Sequence, residues 1–316
     1  DIQQRAQHLA TGLTREHTIL YARPRTLNQA LHLTPNLMQA VRQQKVRISD
    51  RLTVFAPLIP PLGRFRPVRG LGQSIFWRGL RQHMAREKFI PDIIWVTFPS
   101  HAELLDRFPG VRVVYDCMDD YPLFYEGSRR SSVAAQEQRI LQRADVVFTV
   151  SETLASKCAA FNHNVHLVPN GADIAHFESA LTFRLPIPDE LRGLAAPIVG
   201  YYGTISWWFD SESVEKAARS HPEWTFVLLG PLSDSTGKIA LPNIHYLGRK
   251  PYLELPAYLQ NFDVAIMPFI QHEMILSVDP VKIYEYLAAG KRVVASRMPS
   301  ISYLGEVLLL YDQETS

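Results

Sequence analysis

"SVDPVKIYEYLAAGKRVVAS", Ser277 to Ser296, reads as a sharply started helix running into a buried strand. Asp279 can cap the helix and Pro280 suits its first turn. Val281, Tyr284, Leu287 and Ala288 fall on one apolar stripe. Gly290 then stops the helix, and "RVVAS" has the unbroken apolar character of a parallel strand. Lys282 sits beside the helix N-terminus, and Glu285 follows one turn later on the same face, away from the stripe. The dipole already favours an anion at that end. Neither the stripe nor the cap explains a lone cation there.

Outward from this unit, strands and helical segments alternate. "DIIWVTF" (Asp92 to Phe98), "VRVVYD" (Val111 to Asp116), "DVVFTV" (Asp145 to Val150) and "VHLVP" (Val165 to Pro169) are short β-rich runs. Between them, "SVAAQEQRILQRA" and "SETLASKCAAF" are patterned as helices. A looser stretch follows "PNGAD", and the alternation restarts with "IVGYYG", "TFVLLG", "IHYLG", "VAIMPF", "RVVAS" and "VLLLYD". This succession predicts an α/β fold of two doubly wound units with mostly parallel sheets, residues 1–174 and 175–316. Both ends read as truncated. The chain opens in the helix-like "IQQRAQHLATGL" and stops after a strand, where a covering helix is expected.

The 316 residues, 47% hydrophobic and 20% charged with a net charge of +2, are those of a soluble globular protein. No apolar run is long enough to span a bilayer, and no secretory signal is present. Cys117 and Cys158 lack metal-ligand spacing, which fits a reducing cytoplasm without disulfide or zinc. Between Arg42 and Lys88 stand 11 basic residues against two acids, Asp50 and Glu87. The segment includes "SIFWRGLRQHMAREKF", a helix carrying Phe76, Trp77, Leu80 and Met84. It is either core-packed with a solvated basic face, or a surface for anionic headgroups at the inner membrane or a pyrophosphate-bearing acceptor. No nucleic-acid motif accompanies the charge.

Gly203 ends the strand-like "IVGYYG", where a glycine lets backbone N–H groups approach a ligand. Trp207, Trp208 and Phe209 follow; three adjacent aromatics cannot all enter one core, so at least one faces the crevice, where a sugar ring could pack. Asp210 suits a cap for the next helix. Arg249 and Lys250 follow another strand, either solvated or lining the crevice. Asp116, Asp119 and Asp120 end a first-half strand, where carboxylates can take a hydroxyl proton, hold hydroxyls, or form turns and caps. His163 and His166 have no ligand partners and read as structural. Neither G-x-G-x-x-G nor a P-loop occurs.

Taken together, "DVVFTVSETLASKC…NVHLVPNGADIAHF", "PNIHYLGRKPYLELPAYLQNFDVAIMPF" and "DPVKIYEYLAAGKRVVAS" resemble a bacterial GT-B-fold glycosyltransferase. The likeness is to glycosyltransferase family 4 and its polysaccharide-assembly relatives, and it covers nearly the whole chain. It implies two Rossmann-like domains facing each other across a crevice, an acceptor-binding N-terminal one and a nucleotide-sugar donor-binding C-terminal one. It further implies transfer of a hexose-type sugar from a UDP- or GDP-linked donor to a polysaccharide or lipid-linked saccharide acceptor. The nucleotide sugar is a co-substrate, and no cofactor or metal is implied. In such an enzyme the diphosphate lies over the helix N-terminus, Lys282 neutralises it, and Glu285 holds the ribose hydroxyls. The family's first Glu falls on Ser277, with Asp279 the nearest carboxylate, and "ISWWFD" replaces the usual Arg and Lys after Gly203. A nucleotide-sugar epimerase or a non-catalytic module could share this fold.

Overall fold

A computed structural model describes residues 5–26, 45–59, 66–233 and 236–312, with the side chains of 66–69 excluded. The chain divides into two compact units, Gln3–Asp92 and Ile93–Ser316, the latter with Asp1–Ile2. In the smaller unit β1 (Ile19–Ala22), β2 (Arg25–Thr26), β3 (Lys45–Ser49), β4 (Leu52–Phe55) and β5 (Leu58–Ile59) form two sheets of order β1-β4-β3 and β2-β5. The sequence patterning identified no strand before Asp92; these are short, and β3 is exposed along its length, so no buried alternation marks it. Helix Arg66–Glu87 buries Phe76, Trp77 and Leu80 and turns Arg78, Arg81 and Arg86 outward, the arrangement of a core-packed helix with a solvated face. Arg42 and Arg64, and the side chains of Arg66 and Arg69, lie outside the described residues.

The larger unit holds two parallel sheets. The first comprises β6 (Ile93–Val96), β7 (Arg112–Cys117), β8 (Val146–Thr149) and β9 (Val165–Leu167) in sequential order. Ile94, Val96, Val113, Tyr115 and Val147 pack with Ile140, Leu141, Leu154 and Cys158 of helices Gly127–Arg143 and Glu152–Ala159. Both cysteines are free and buried.

The second sheet comprises β10 (Ile198–Tyr202), β11 (Thr225–Leu229), β12 (Ile244–Gly248), β13 (Val264–Met267), β14 (Arg292–Ser296) and β15 (Leu309–Tyr311). Its order is β12-β11-β10-β13-β14-β15, with every pairing parallel. Counted from β10 this is 3-2-1-4-5-6, the Rossmann order, whose ligand crevice opens where the order reverses, at the carboxyl ends of β10 and β13. The runs β10 and β11 are buried at every position, which is why their sequences are unbroken apolar stretches. The expected boundary near residue 175 falls between the two parallel sheets, inside the larger unit.

The helix of the opening stretch spans Val281–Ala288, between β13 and β14. Its C-terminus closes as expected. Gly290 takes a left-handed φ of 64°, its N–H reaches the Leu287 carbonyl, and the Lys291 N–H reaches that of Tyr286. Its buried face differs from the expected stripe. Ile283, Tyr286 and Ala289 are the fully buried positions, while Val281, Tyr284, Leu287 and Ala288 are half-buried. The helix is covered on more than one side, so a single apolar stripe did not identify the face against the sheet.

Candidate active site

The carboxyl end of β10 and the start of helix Val281–Ala288 meet through Gly203 and Lys282. Gly203 has φ 143°, and a Cβ there would overlap Lys282 Cε and stand 3.0 Å from Lys282 Nζ. The missing side chain is the space the lysine occupies. Burial lowers the Lys282 pKa, and Glu285 opposes that shift. The half-buried side chain thus places its ammonium in a partly desolvated position at the sheet's switch point, with Glu285 as an opposite charge. Glu285 is only 7% exposed, so the face read as lying away from the core is itself enclosed. Its Oε2 accepts the Tyr202 hydroxyl at 2.6 Å, and the Tyr202 N–H donates to the Tyr286 hydroxyl at 3.2 Å. Burial and the Glu285 charge hold the Tyr202 phenol protonated, so it remains a donor to that carboxylate.

Three other candidates are engaged elsewhere. Asp279 does not cap the helix; Pro280 is the N-cap and no side-chain cap bond forms. The Asp279 carboxylate instead accepts the Asn170 backbone N–H at 2.6 Å and the Tyr284 hydroxyl at 2.7 Å. Asn170 Nδ2 returns a bond to the Asp279 carbonyl at 2.7 Å. This reciprocal pair ties the segment after β9 to the head of the helix. Ser277 is buried, its hydroxyl donating to the Met274 carbonyl at 2.7 Å, while its own carbonyl accepts the Ser151 hydroxyl. It is a docking point between the two sheets' connecting segments. Lys250 pairs with Glu190, which also accepts the Tyr258 hydroxyl. Arg249 is exposed directly after Gly248 at the end of β12.

At the end of β7, the neighbouring acids Asp119 and Asp120 differ. Asp120 Oδ1 accepts Lys157 Nζ at 2.8 Å, and the same ammonium reaches Glu137 Oε2 at 2.6 Å. Glu137 Oε1 accepts the Tyr115 hydroxyl at 2.9 Å. Burial by itself would lower the Lys157 pKa, but Glu137 and Asp120 outweigh it and hold the amine charged. The Asp119 carboxylate makes no hydrogen bond or ion pair among the described residues. Burial, and then the Asp120 charge, raise its pKa from 3.8 to about 7. A carboxyl poised there can take or give a proton near neutrality. The Tyr121 hydroxyl beside it is buried and has no hydrogen-bond partner among the described residues. Asp116 is fully buried.

The aromatic run after Gly203 divides between core and surface. Phe209 enters the core, Trp208 packs against it, and Trp207 remains 41% exposed. Asp210 caps helix Ser211–Ser220 through the Ser213 N–H at 3.0 Å. Trp207 lines a cleft of about 300 Å³ with Leu123, Phe124, Tyr125, Glu126 and His272. Tyr202, Lys157 and Glu137 escaped the sequence reading. They sit inside a strand or helices, and nothing in their spacing says that they meet Glu285 and Asp120. Among the described residues no three His, Cys, Asp or Glu side chains converge as metal ligands, and no helix is long and apolar enough to cross a membrane.

Residues 2–171 match the family model described as "Glycosyl transferase 4-like domain", and residues 197–314 match "Glycosyl transferases group 1". TuaH of Bacillus subtilis (strain 168), named as a teichuronic acid biosynthesis glycosyltransferase, is 32% identical over 227 residues, 66% of this chain and 56% of its own length. The chain spans about half the length of the curated relatives it matches. Among solved structures, sucrose-phosphate synthase from Thermosynechococcus elongatus superposes with a TM-score of 0.66 at 15% identity, covering 98% of this chain and 79% of that one. Anabaena HepE in complex with UDP-glucose gives 0.57 at 16% identity, covering 83% and 72%.

Proposed function

The chain belongs to the glycosyl transferase 4-like family, with the GT-B fold, and from that premise we propose that it moves a hexose-type sugar from a nucleotide diphosphate donor to a polysaccharide or lipid-linked saccharide acceptor. The observation that carries this reading is the Lys282 ammonium seated over Gly203 at the switch point, with Glu285 one turn further along the helix. A UDP or GDP diphosphate supplies a strong anion to the half-buried lysine, and N–H groups at the helix N-terminus add donors. Glu285 holds the ribose hydroxyls, sharing its carboxylate with Tyr202. Arg249 extends the positive edge. One structural relative is named as a UDP-glucose complex, in keeping with a nucleotide-sugar donor.

In this reading residues 1–174 bind the acceptor and 175–316 the donor. The acceptor hydroxyl attacks the anomeric carbon as the bond to the diphosphate breaks, and Lys282 stabilises the departing charge. With inversion, Asp119 takes the hydroxyl proton, and Asp120, fixed by Lys157, keeps the Asp119 proton affinity high. With retention, Asp119 orients the acceptor. Neither a metal nor a cofactor takes part. The enzyme works on the cytoplasmic side, with exposed Arg78, Arg81 and Arg86 available to anionic headgroups at the inner membrane face.

The test combines calorimetry with UDP and GDP and a panel of nucleotide sugars, with and without lipid-linked acceptors. Nucleotide binding and acceptor-dependent release of the nucleoside diphosphate are expected, and Glu285→Gln weakens nucleotide binding without unfolding the chain. Conversion of a nucleotide sugar without acceptor means an epimerase, and no nucleotide binding means a non-catalytic module.

A further inference from the structure

We propose that the cleft between residues 123–126 and Trp207 is a subsite for one pyranose ring of the acceptor, with Trp207 as its stacking platform; this rests on the transferase reading above. Trp207 and Phe124 are each about two-fifths exposed, at 41% and 42%, and both line one concavity. Large aromatics left open in a cleft mark a ligand rather than a core. The indole is held in advance, edge-on to His272 at 4.8 Å and to Trp208 at 5.7 Å between ring centroids. A platform that is already ordered loses little entropy on binding.

The cleft also has a polar rim. Glu126 and His272 can bond hydroxyls, and Arg130 pairs with Glu273 at 3.5 Å, joining the elements that carry the two walls. A lining that sets aromatic faces beside polar groups suits a pyranose, whose C–H face and hydroxyl edge differ in the same way. A volume of about 300 Å³ lies at the small end of ligand sites, room for one ring and not for an extended lipid chain. The assignment to acceptor follows from the lining. Gly203, Lys282 and Glu285 do not border this cleft, whereas its first-half wall begins three residues after Asp120, along the turn Tyr121–Phe124.

Saturation-transfer NMR tests it with methyl β-D-glucopyranoside, methyl N-acetyl-β-D-glucosaminide and methyl β-D-glucuronide, each with UDP present. Calorimetry of UDP runs in parallel. Wild-type protein is expected to transfer saturation to the ring protons of at least one glycoside. Trp207→Ala should weaken that binding about tenfold, as loss of an anchoring aromatic does, while Trp207→Phe keeps most of it. UDP affinity should stay within about twofold in both variants, the range of a change outside the nucleotide site. No signal with any glycoside on wild-type protein, or equal signals in Trp207→Ala, overturns the subsite. A parallel loss of UDP affinity overturns its assignment to the acceptor. Glycoside binding by a protein that takes up neither UDP nor GDP keeps the pyranose site and removes the transferase reading.

Discussion

Lys282 fills the space that a side chain on Gly203 would need. A Cβ at position 203 would overlap Lys282 Cε and approach the Tyr201 hydroxyl to 2.8 Å. One residue ends a strand and the other begins a helix nearly eighty positions later, so their fit is a property of the sheet's strand order.

Gly203→Ala is expected to displace the lysine and to strain a backbone at φ 143°. UDP affinity should fall by about 1–3 kcal/mol, with the far-ultraviolet spectrum unchanged. Lys282→Met keeps the volume and removes the charge, and should cost about 1.5–3 kcal/mol of UDP affinity. Its effect on the free protein has the opposite sign. Burial lowers the Lys282 pKa, so at neutral pH the charged lysine opposes folding, and that penalty fades only as pH rises through the lowered value. Thermal melts without nucleotide should show Lys282→Met at least as stable as wild type. Unchanged UDP affinity in both variants would remove the pair from the donor site.

Asp119 titrates at about 7, against an ordinary 3.8. Between those values the unfolded chain has lost the proton that the folded one keeps, so stability falls as pH rises across that window. Asp119→Asn should flatten this slope. If Asp119 is the base, turnover of the wild type rises through pH 7. The variant should lose that limb and about 10²–10⁴ in rate, while UDP affinity holds. A pH profile identical to wild type would reduce Asp119 to packing.

Asp279 joins Asn170 and Tyr284. Asp279→Ala removes the acceptor of a part-buried N–H and of the part-buried Tyr284 hydroxyl, and should cost about 1–2 kcal/mol of stability in urea melts. At saturating UDP the loss in turnover should be small. A fall in UDP affinity larger than the fall in stability would mean that Asp279 touches the donor.

Activity should survive EDTA, because Lys282 and the helix N-terminus supply the positive charge at the diphosphate. Loss on chelation, restored by manganese or magnesium, would show that a divalent ion carries that role.

The sequence by itself determined the ten strands between Ile93 and Tyr311 and the type of fold, but not the helix Ile174–Thr182, whose stretch reads as loose. Strands from β6 to β15 are apolar runs bounded by turn residues, and Gly290 ends its helix where only a left-handed residue fits. These signals are local: backbone conformation and burial of a whole run are written in neighbouring residues. It also determined the motif that holds Lys282 one turn before Glu285. Partnership was decided only in three dimensions. Asp279 and Asp119 are both carboxylates near element ends, yet one is spent on Asn170 and Tyr284 while the other remains without a hydrogen bond among the described residues. Lys250 follows a strand and forms an ion pair with Glu190, sixty residues away in sequence, whereas Lys282, in a helix, forms none among the described residues. A charge's role depends on what lies within a few ångströms and on how much water remains there, and strand order sets both.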